Sequence, residues 1–208
     1  MTLRALAVAA ALGLGAVLSQ PAQATSMIEL TPAQMVAASD TIVRGTVSEI
    51  WTERGPEGRI WTRVQLDVNE VHKGQPGLEE VVIDQLGGAW AGKVATVHGS
   101  ATFSHGEDVL VYLEELESGM LVCVGMVQGK FTLKMDPVSR SKVAFQTPTA
   151  PNDTFDHRFY PLPPEGERLA YDDKVLEIEE LTRLGWDGSE IPGVSLDELR
   201  ARNPGVSR

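Results

Sequence analysis

Asp108-Val109-Leu110-Val111-Tyr112-Leu113-Glu114 decides the fold. Successive side chains of an extended chain point to opposite faces, so Val109, Val111 and Leu113 stand on one side and Leu110 and Tyr112 on the other. Both sides are apolar, and a strand of that kind has to be covered twice, in the middle of a sheet. The stretch at 62–69 differs. Thr62, Val64, Leu66 and Val68 face one way while Arg63, Gln65, Asp67 and Asn69 face the other, as in an antiparallel strand with one wet face.

Period two also runs through residues 41–53, where Val43, Gly45 and Val47 alternate with Arg44, Thr46 and Ser48. Gly55-Pro56-Glu57-Gly58 and His72-Lys73-Gly74-Gln75-Pro76-Gly77 are turn sequences. Val81-Val82-Ile83 is a short apolar strand, the glycine-rich loop 87–92 follows, and 94–98 suits a further strand. Glu117-Ser118-Gly119 reads as a hairpin turn into a strand over 120–127, and Phe131, Leu133 and Met135 mark another. No helix long enough for a parallel crossover lies between these strands. The expectation is a mainly β fold, a small antiparallel barrel or sandwich over residues 25–136.

Helices flank this body. Thr31-Pro32-Ala33-Gln34 carries a cap, a first-turn proline and a capping-box glutamine, so a short N-terminal helix starts there. Six prolines between 137 and 164 make 137–166 an extended connector rather than a strand pair, with Phe155, Phe159 and Tyr160 anchoring it on the body. Over 167–184, Tyr171, Val175, Ile178, Leu181 and Leu184 recur at helical spacing, with Gly185 as the terminating residue. This C-terminal amphipathic segment, 167–208, is expected to pack on the barrel. Arg168 with Asp172 and Glu179 with Arg183 form pairs four apart, and Asp172, Asp173, Glu177, Glu179 and Glu180 read as a solvated face. Ser195-Leu196-Asp197-Glu198 opens a short last helix.

Residues 1–24 read as a cleavable secretory signal. Arg4 is the positive start, the run from Ala5 to Leu18 is uncharged, and Ala22-Gln23-Ala24 is a small-x-small cleavage pattern. The run falls short of the roughly 20 residues that a permanent span needs. The expected location is therefore periplasmic or extracellular, with no membrane insertion after cleavage. A formal charge of −11, with no clustered Lys and Arg, argues against nucleic acid and anionic membrane surfaces as partners. Cys123 is the single cysteine, so no intramolecular disulfide can form. It sits in an apolar run and reads as a buried small hydrophobe rather than a reactive thiol.

Motifs for chemistry are sparse. Gly87, four residues, Gly92 and Lys93 match a phosphate-binding loop up to its last position, where Val94 replaces the Ser or Thr that holds Mg²⁺. The residues after it are β-like, not helical, so the glycines read as turn formers with Trp90 at the tip. That Trp serves either as a ligand-contacting aromatic or as a core plug. His72, His98, His105 and His157 show no metal spacing, and no metal or other cofactor is expected. His105-Gly106-Glu107-Asp108 gathers an imidazole and two carboxylates, which acid–base chemistry could use and which a turn anchored by Glu107 explains more simply.

Ser39-Asp40-Thr41-Ile42-Val43-Arg44-Gly45-Thr46-Val47 resembles the opening strand of netrin-like modules, the barrel shared by tissue inhibitors of metalloproteinases. Val71-His72-Lys73-Gly74, Gly87-Gly88, Phe103, Gly106-Glu107, the strand at 109–113 and Gly125-Met126-Val127-Gln128-Gly129-Lys130-Phe131 resemble secreted bacterial proteins. Together these stretches span about half the chain. The resemblance implies a barrel of the oligonucleotide/oligosaccharide-binding (OB) type and no activity. Netrin-like inhibitors hold a protease zinc through an N-terminal cysteine, which Thr25 cannot supply, so that route does not carry over.

The function expected is a non-catalytic binding module for a protein or glycan. Its contact surface would be Trp90, the loop with Gly87 and Gly88, Trp51 and Trp61; His105 and Glu107 are further candidates. Trp61 lies on the polar register of its strand, which makes it either an exposed aromatic or a ring covered by the C-terminal helix. One alternative is a small hydrolase using His105 with Glu107 or Asp108. Another is an accessory domain whose helix docks on a larger secreted protein.

Overall fold

The computed structural model describes residues 29–146, 162–163 and 167–185. The signal at 1–24, the anchors Phe155, Phe159 and Tyr160, and the helix at 195–198 lie outside the described residues. The fold is mainly β, with one large mixed sheet and two helices. Helix α1 spans Pro32–Ala38. Thr31 Oγ1 accepts from the Gln34 amide at 3.2 Å and Gln34 Oε1 from the Thr31 amide at 2.9 Å, closing the capping box read in the sequence.

Strands β1 (Thr41–Arg54) and β2 (Ile60–Lys73) form a long antiparallel hairpin, and β3 (Glu80–Leu86) continues the meander. Strands β4 (Gly88–Trp90) and β5 (Lys93–Ala95) form a separate two-stranded hairpin. Strand β6 (Asp108–Glu115) pairs along one edge with β1. Its other edge is shared: β7 (Leu121–Cys123) takes the C-terminal half and β8 (Lys130–Met135) the N-terminal half. Strands β9 (Lys142–Phe145) and β10 (Leu169–Ala170) extend the sheet beyond β8. The order is β1-β2-β3-β7-β6-β8-β9-β10, and the added β1–β6 pairing returns the first five strands to their start. All pairings are antiparallel except β3–β7, which is parallel and meets at Ile83 and Leu121.

β6 has an apolar core on each side, as its sequence requires. Val109, Val111 and Leu113 join Val43, Val47, Val64, Leu66, Val81 and Ile83. Leu110 and Tyr112 face the other way and meet Ile42, Val124, Phe131, Leu133 and the two helices. Helix α2, Tyr171–Leu184, brings Tyr171, Ile178 and Leu181 into that second core and ends on Gly185 at φ 60, a left-handed position that favours glycine.

Four expectations need correction. The strand expected over 120–127 stops at Cys123, because Gly125 and Met126 both take positive φ and a 3₁₀ turn, Met126–Gly129, follows. The stretch 137–166 is not wholly a connector: its prolines leave 138–147 free, so β9 has every amide it needs for a ladder. Helix α2 starts at Tyr171 rather than 167, since Leu169 and Ala170 pair with β9; Arg168 stands ahead of the helix and meets Asp136 at 3.2 Å. The acidic face is not all solvated. Glu180 is buried, and Arg183 reaches it, rather than Glu179, at 2.6 Å.

Leu110 is fully buried where the helices cover β6. Leu110→Ala should cost about 2–5 kcal/mol in denaturant unfolding, whereas Val94→Ala, at a side chain 71% exposed, should stay within about 0.5 kcal/mol.

Candidate functional site

The far end of the β1–β2–β3 meander carries tryptophans that the core does not absorb. Residues directly opposite in an antiparallel pair share a face. Trp51, Arg63 and Asp84 thus form one row across the three strands, and Glu53, Trp61 and Leu86 the next row on the same face. Trp51 and Trp61 are half-buried and Leu86 is 39% exposed. The rings stand on the diagonal between rows, where backbones lie roughly 7–8 Å apart. Gly55 makes room for Trp61: a Cβ at that position would stand 2.5 Å from the indole Cδ1, so the ring lies against the β1–β2 turn. Arg63 stands directly opposite Trp51 on this face. Its Nε and Nη2 donate to Glu53 Oε1 at 3.0 and 2.8 Å, and Nη1 pairs with Asp84. Asp84 Oδ2 also accepts from the Leu121 amide at 3.1 Å, which ties this face to β7.

Trp90 is elsewhere. Thr62 Oγ1 donates to the Gly87 carbonyl at 2.9 Å and Thr52 Oγ1 to that of Ala89 at 2.7 Å, so the β4–β5 hairpin rests on the face of Thr52 and Thr62, opposite to that of Trp51 and Trp61. Gly88 must be glycine there, with φ 122 and Thr52 Cγ2 only 3.0 Å from the place of a Cβ. Trp90 is 38% exposed at the tip. Lys93 opens β5, not a helix, so no helix N-terminus faces the loop as a phosphate-binding loop would require. The helix does not cover Trp61; it meets β2 at the opposite end, where Tyr171 reaches Glu70 and His72.

His105 and Glu107 are not brought together as an acid–base pair. His105 is exposed, while Glu107 is wholly buried at the start of β6. Its carboxylate takes Lys130 Nζ and the Thr132 hydroxyl (2.6 Å) on one oxygen, and the Ser104 amide (3.0 Å) on the other. Lys130 is also wholly buried, its ammonium 5.4 Å from the Phe103 ring centroid. Burial pushes its amine below the ordinary lysine value, opposed by the pull of Glu107. Packing around the thiol pushes Cys123 up to about 12, which leaves it protonated and unreactive at neutral pH.

A polar network unread in the sequence ties α2 to the sheet. Tyr171 donates to Glu70 Oε2 at 2.8 Å, and His72 Nε2 stands 2.9 Å from the Tyr171 hydroxyl. Because that hydroxyl spends its proton on Glu70, His72 Nε2 is the donor to it. Arg44 pairs with Glu70 and grips both oxygens of Asp108 at 3.0 Å, and Lys142 reaches Asp108 at 2.7 Å. Glu70, His72 and Lys73 border a cleft of about 490 Å³ at the β2–β3 turn, but Glu70 is held by Tyr171 and Lys73 Nζ donates to the Val36 carbonyl at 2.7 Å. Burial pushes His72 below its ordinary value, against the attraction of Glu70 and Glu179. Burial alone would raise the Glu70 carboxyl; hydrogen bonds from Tyr171 and Arg44 hold it below the usual range. His98 is exposed, and His157 lies outside the described residues. Among the described residues no group of three or more His, Cys, Asp or Glu side chains could hold a metal ion. No helix among them is long and apolar enough to cross a membrane. In comparisons with known proteins, no family model matches the chain and no curated protein matches it.

Two outcomes follow from these groups. Lys130→Met strands the Glu107 charge and should cost about 3–5 kcal/mol by urea unfolding, and the double variant with Glu107→Leu should recover much of that loss. His72 titrates at a lower pH folded than unfolded, so the unfolded chain binds more protons below pH 6.5 and stability falls as pH drops from there. The Glu70 contribution is lost further down, below pH 4.5. Thermal midpoints between pH 7.5 and 5 should fall for the wild type and less steeply for His72→Gln, which keeps a donor to Tyr171.

Proposed function

We propose that this chain is an exported, non-catalytic binding module on an OB-type barrel, with its contact surface at Trp51 and Trp61. The features of residues 1–24 support export to the periplasm or beyond. The circuit β1-β2-β3-β7-β6 and back to β1, antiparallel but for one join, suits a five-stranded Greek-key barrel of that type. The netrin-like stretch at 39–47 falls largely on β1 and belongs to the same reading. Such barrels bind on the face of their second and third strands and the adjoining loops.

The observation that carries the proposal is the pair of half-buried tryptophans that share that face outside both cores. Leu86 beside them is 39% exposed, and apolar groups clustered on an open sheet face mark contact sites. The partner is a protein or glycan of the envelope or medium; a charge of −11 weighs against nucleic acid. The hydrolase alternative gains no support, since Glu107 is committed to Lys130 and Asp108 to Arg44 and Lys142. Docking through α2 is likewise unsupported, because Tyr171, Ile178 and Leu181 are spent in the core.

Affinity capture with the purified protein against the source envelope and medium tests the reading. A specific partner should be retained by Trp90→Ala and lost by Trp61→Ala, with thermal midpoints showing that both variants fold. A partner that Trp61→Ala still holds would move the surface elsewhere, and empty capture together with empty glycan arrays would refute the module itself.

A further inference from the structure

We infer that the free edge of β1 over residues 49–54 accepts an extended basic peptide of a partner protein as an added strand. The inference rests on the binding-module reading and names the partner of the surface around Trp51. β1 pairs with β6 only over 41–46, and its bonds on that side end at Val47. Beyond the register shift between Val47 and Glu49 it pairs with β2 alone, as far as Arg54 opposite Ile60.

Alternate N–H and C=O groups of 49–54 therefore point outward with no backbone partner among the described residues. The β4–β5 hairpin supplies none, since its bond here is to the Thr52 hydroxyl, on a face of the sheet. An unpaired row of this kind is a template for another strand, at a spacing of roughly 4.8 Å.

Side chains select the strand. Glu49, Trp51 and Glu53 stand at every second position, on the face of Arg63. Glu49 is exposed and pairs with no cation among the described residues. Glu53 and Asp84 set two carboxylates against the single Arg63 guanidinium, and Glu49 adds a third. Arg54 alternates to the other face and reaches the turn at Gly58. Residues directly opposite in neighbouring strands share a face, and opposite charges there attract. The fitting segment thus carries Lys or Arg opposite Glu49 and Glu53 and an apolar residue opposite Trp51. That pattern reads the same in either strand direction. A second copy of the chain fits worse: with Trp51 opposite itself, each Glu49 faces a Glu53.

The test is a synthetic library of extended peptides built on Lys-x-Leu-x-Lys, with Glu-x-Leu-x-Glu as counterpart, titrated into the full purified protein. The basic set should bind, and Glu49→Lys should weaken it roughly tenfold or more. Glu114→Lys, an equal charge change at an exposed site of β6, should leave it unchanged. Exchanging the opposing lysine of the peptide for Glu should restore binding to the Glu49→Lys variant, which a merely structural role would not do. Bound peptide should slow the exchange of alternate amides in 49–54. Methylating alternate peptide amides should abolish binding in one phase and spare it in the other. Preference for the acidic set, binding without protection at 49–54, or a dimer paired through this edge overturns the inference. So does a partner captured through Trp61 that leaves these amides unprotected, although the module reading then stands. Absence of any bound peptide overturns it as well, and with empty capture and glycan arrays the module falls too.

Discussion

Strand β6 must be covered on both faces, and the rest of the molecule is arranged to do it. Each face of an apolar strand gains on the order of 25 cal/mol for every Å² of apolar surface taken from water. One hairpin cannot supply both covers. The β1–β2–β3 meander wraps the side of Val109, Val111 and Leu113, while β8, β9 and the two helices close over Leu110 and Tyr112. β1 lies along one edge of β6 for six paired residues, so the meander is anchored to the strand that it encloses. The break at Gly125 serves the same end. It lets β7 hold one half of the opposite edge and β8 the other.

The buried Lys130–Glu107 pair stands on the same wall, just before β6 and across from it on β8. Two charges out of water are costly, and the carboxylate is acceptable only because Lys130, Thr132 and the Ser104 amide all meet it. A pair of this kind tolerates neither partner alone. It fixes how the segment before β6 approaches β8, because any other register leaves an unpaired charge. The same side chain cannot also serve as a surface acid. Glu107 and Asp108 are thus committed to cations, while Trp51 and Trp61 stand half-buried at the far end of β1 and β2.

Local patterns were legible. The two-sided run at 109–113, the alternation at 62–68, the capping box at Thr31 and Gln34 and the stop at Gly185 each concern neighbours a few residues apart. Trp61 on the polar register could be read in the same way, and Trp51 joined it once pairing was known. What stayed hidden depends on distant pairing. Tyr171 and Glu70 are 101 residues apart and Arg44 and Asp108 are 64 apart, and no periodicity announces such contacts. β9 was masked by flanking prolines whose effect stops at their own positions. Glu107 was singled out for its neighbour His105, whereas its partner came from β8, 23 residues on.

Amide hydrogen exchange, residue by residue, addresses the central claim that β6 is the wall shared by two cores. Amides at 109–113 should be the slowest in the chain and exchange only with global unfolding, while those of β5 and β10 exchange through local opening. If the 109–113 amides exchange as fast as those of β10, the strand is not enclosed on both faces and the account of the fold fails.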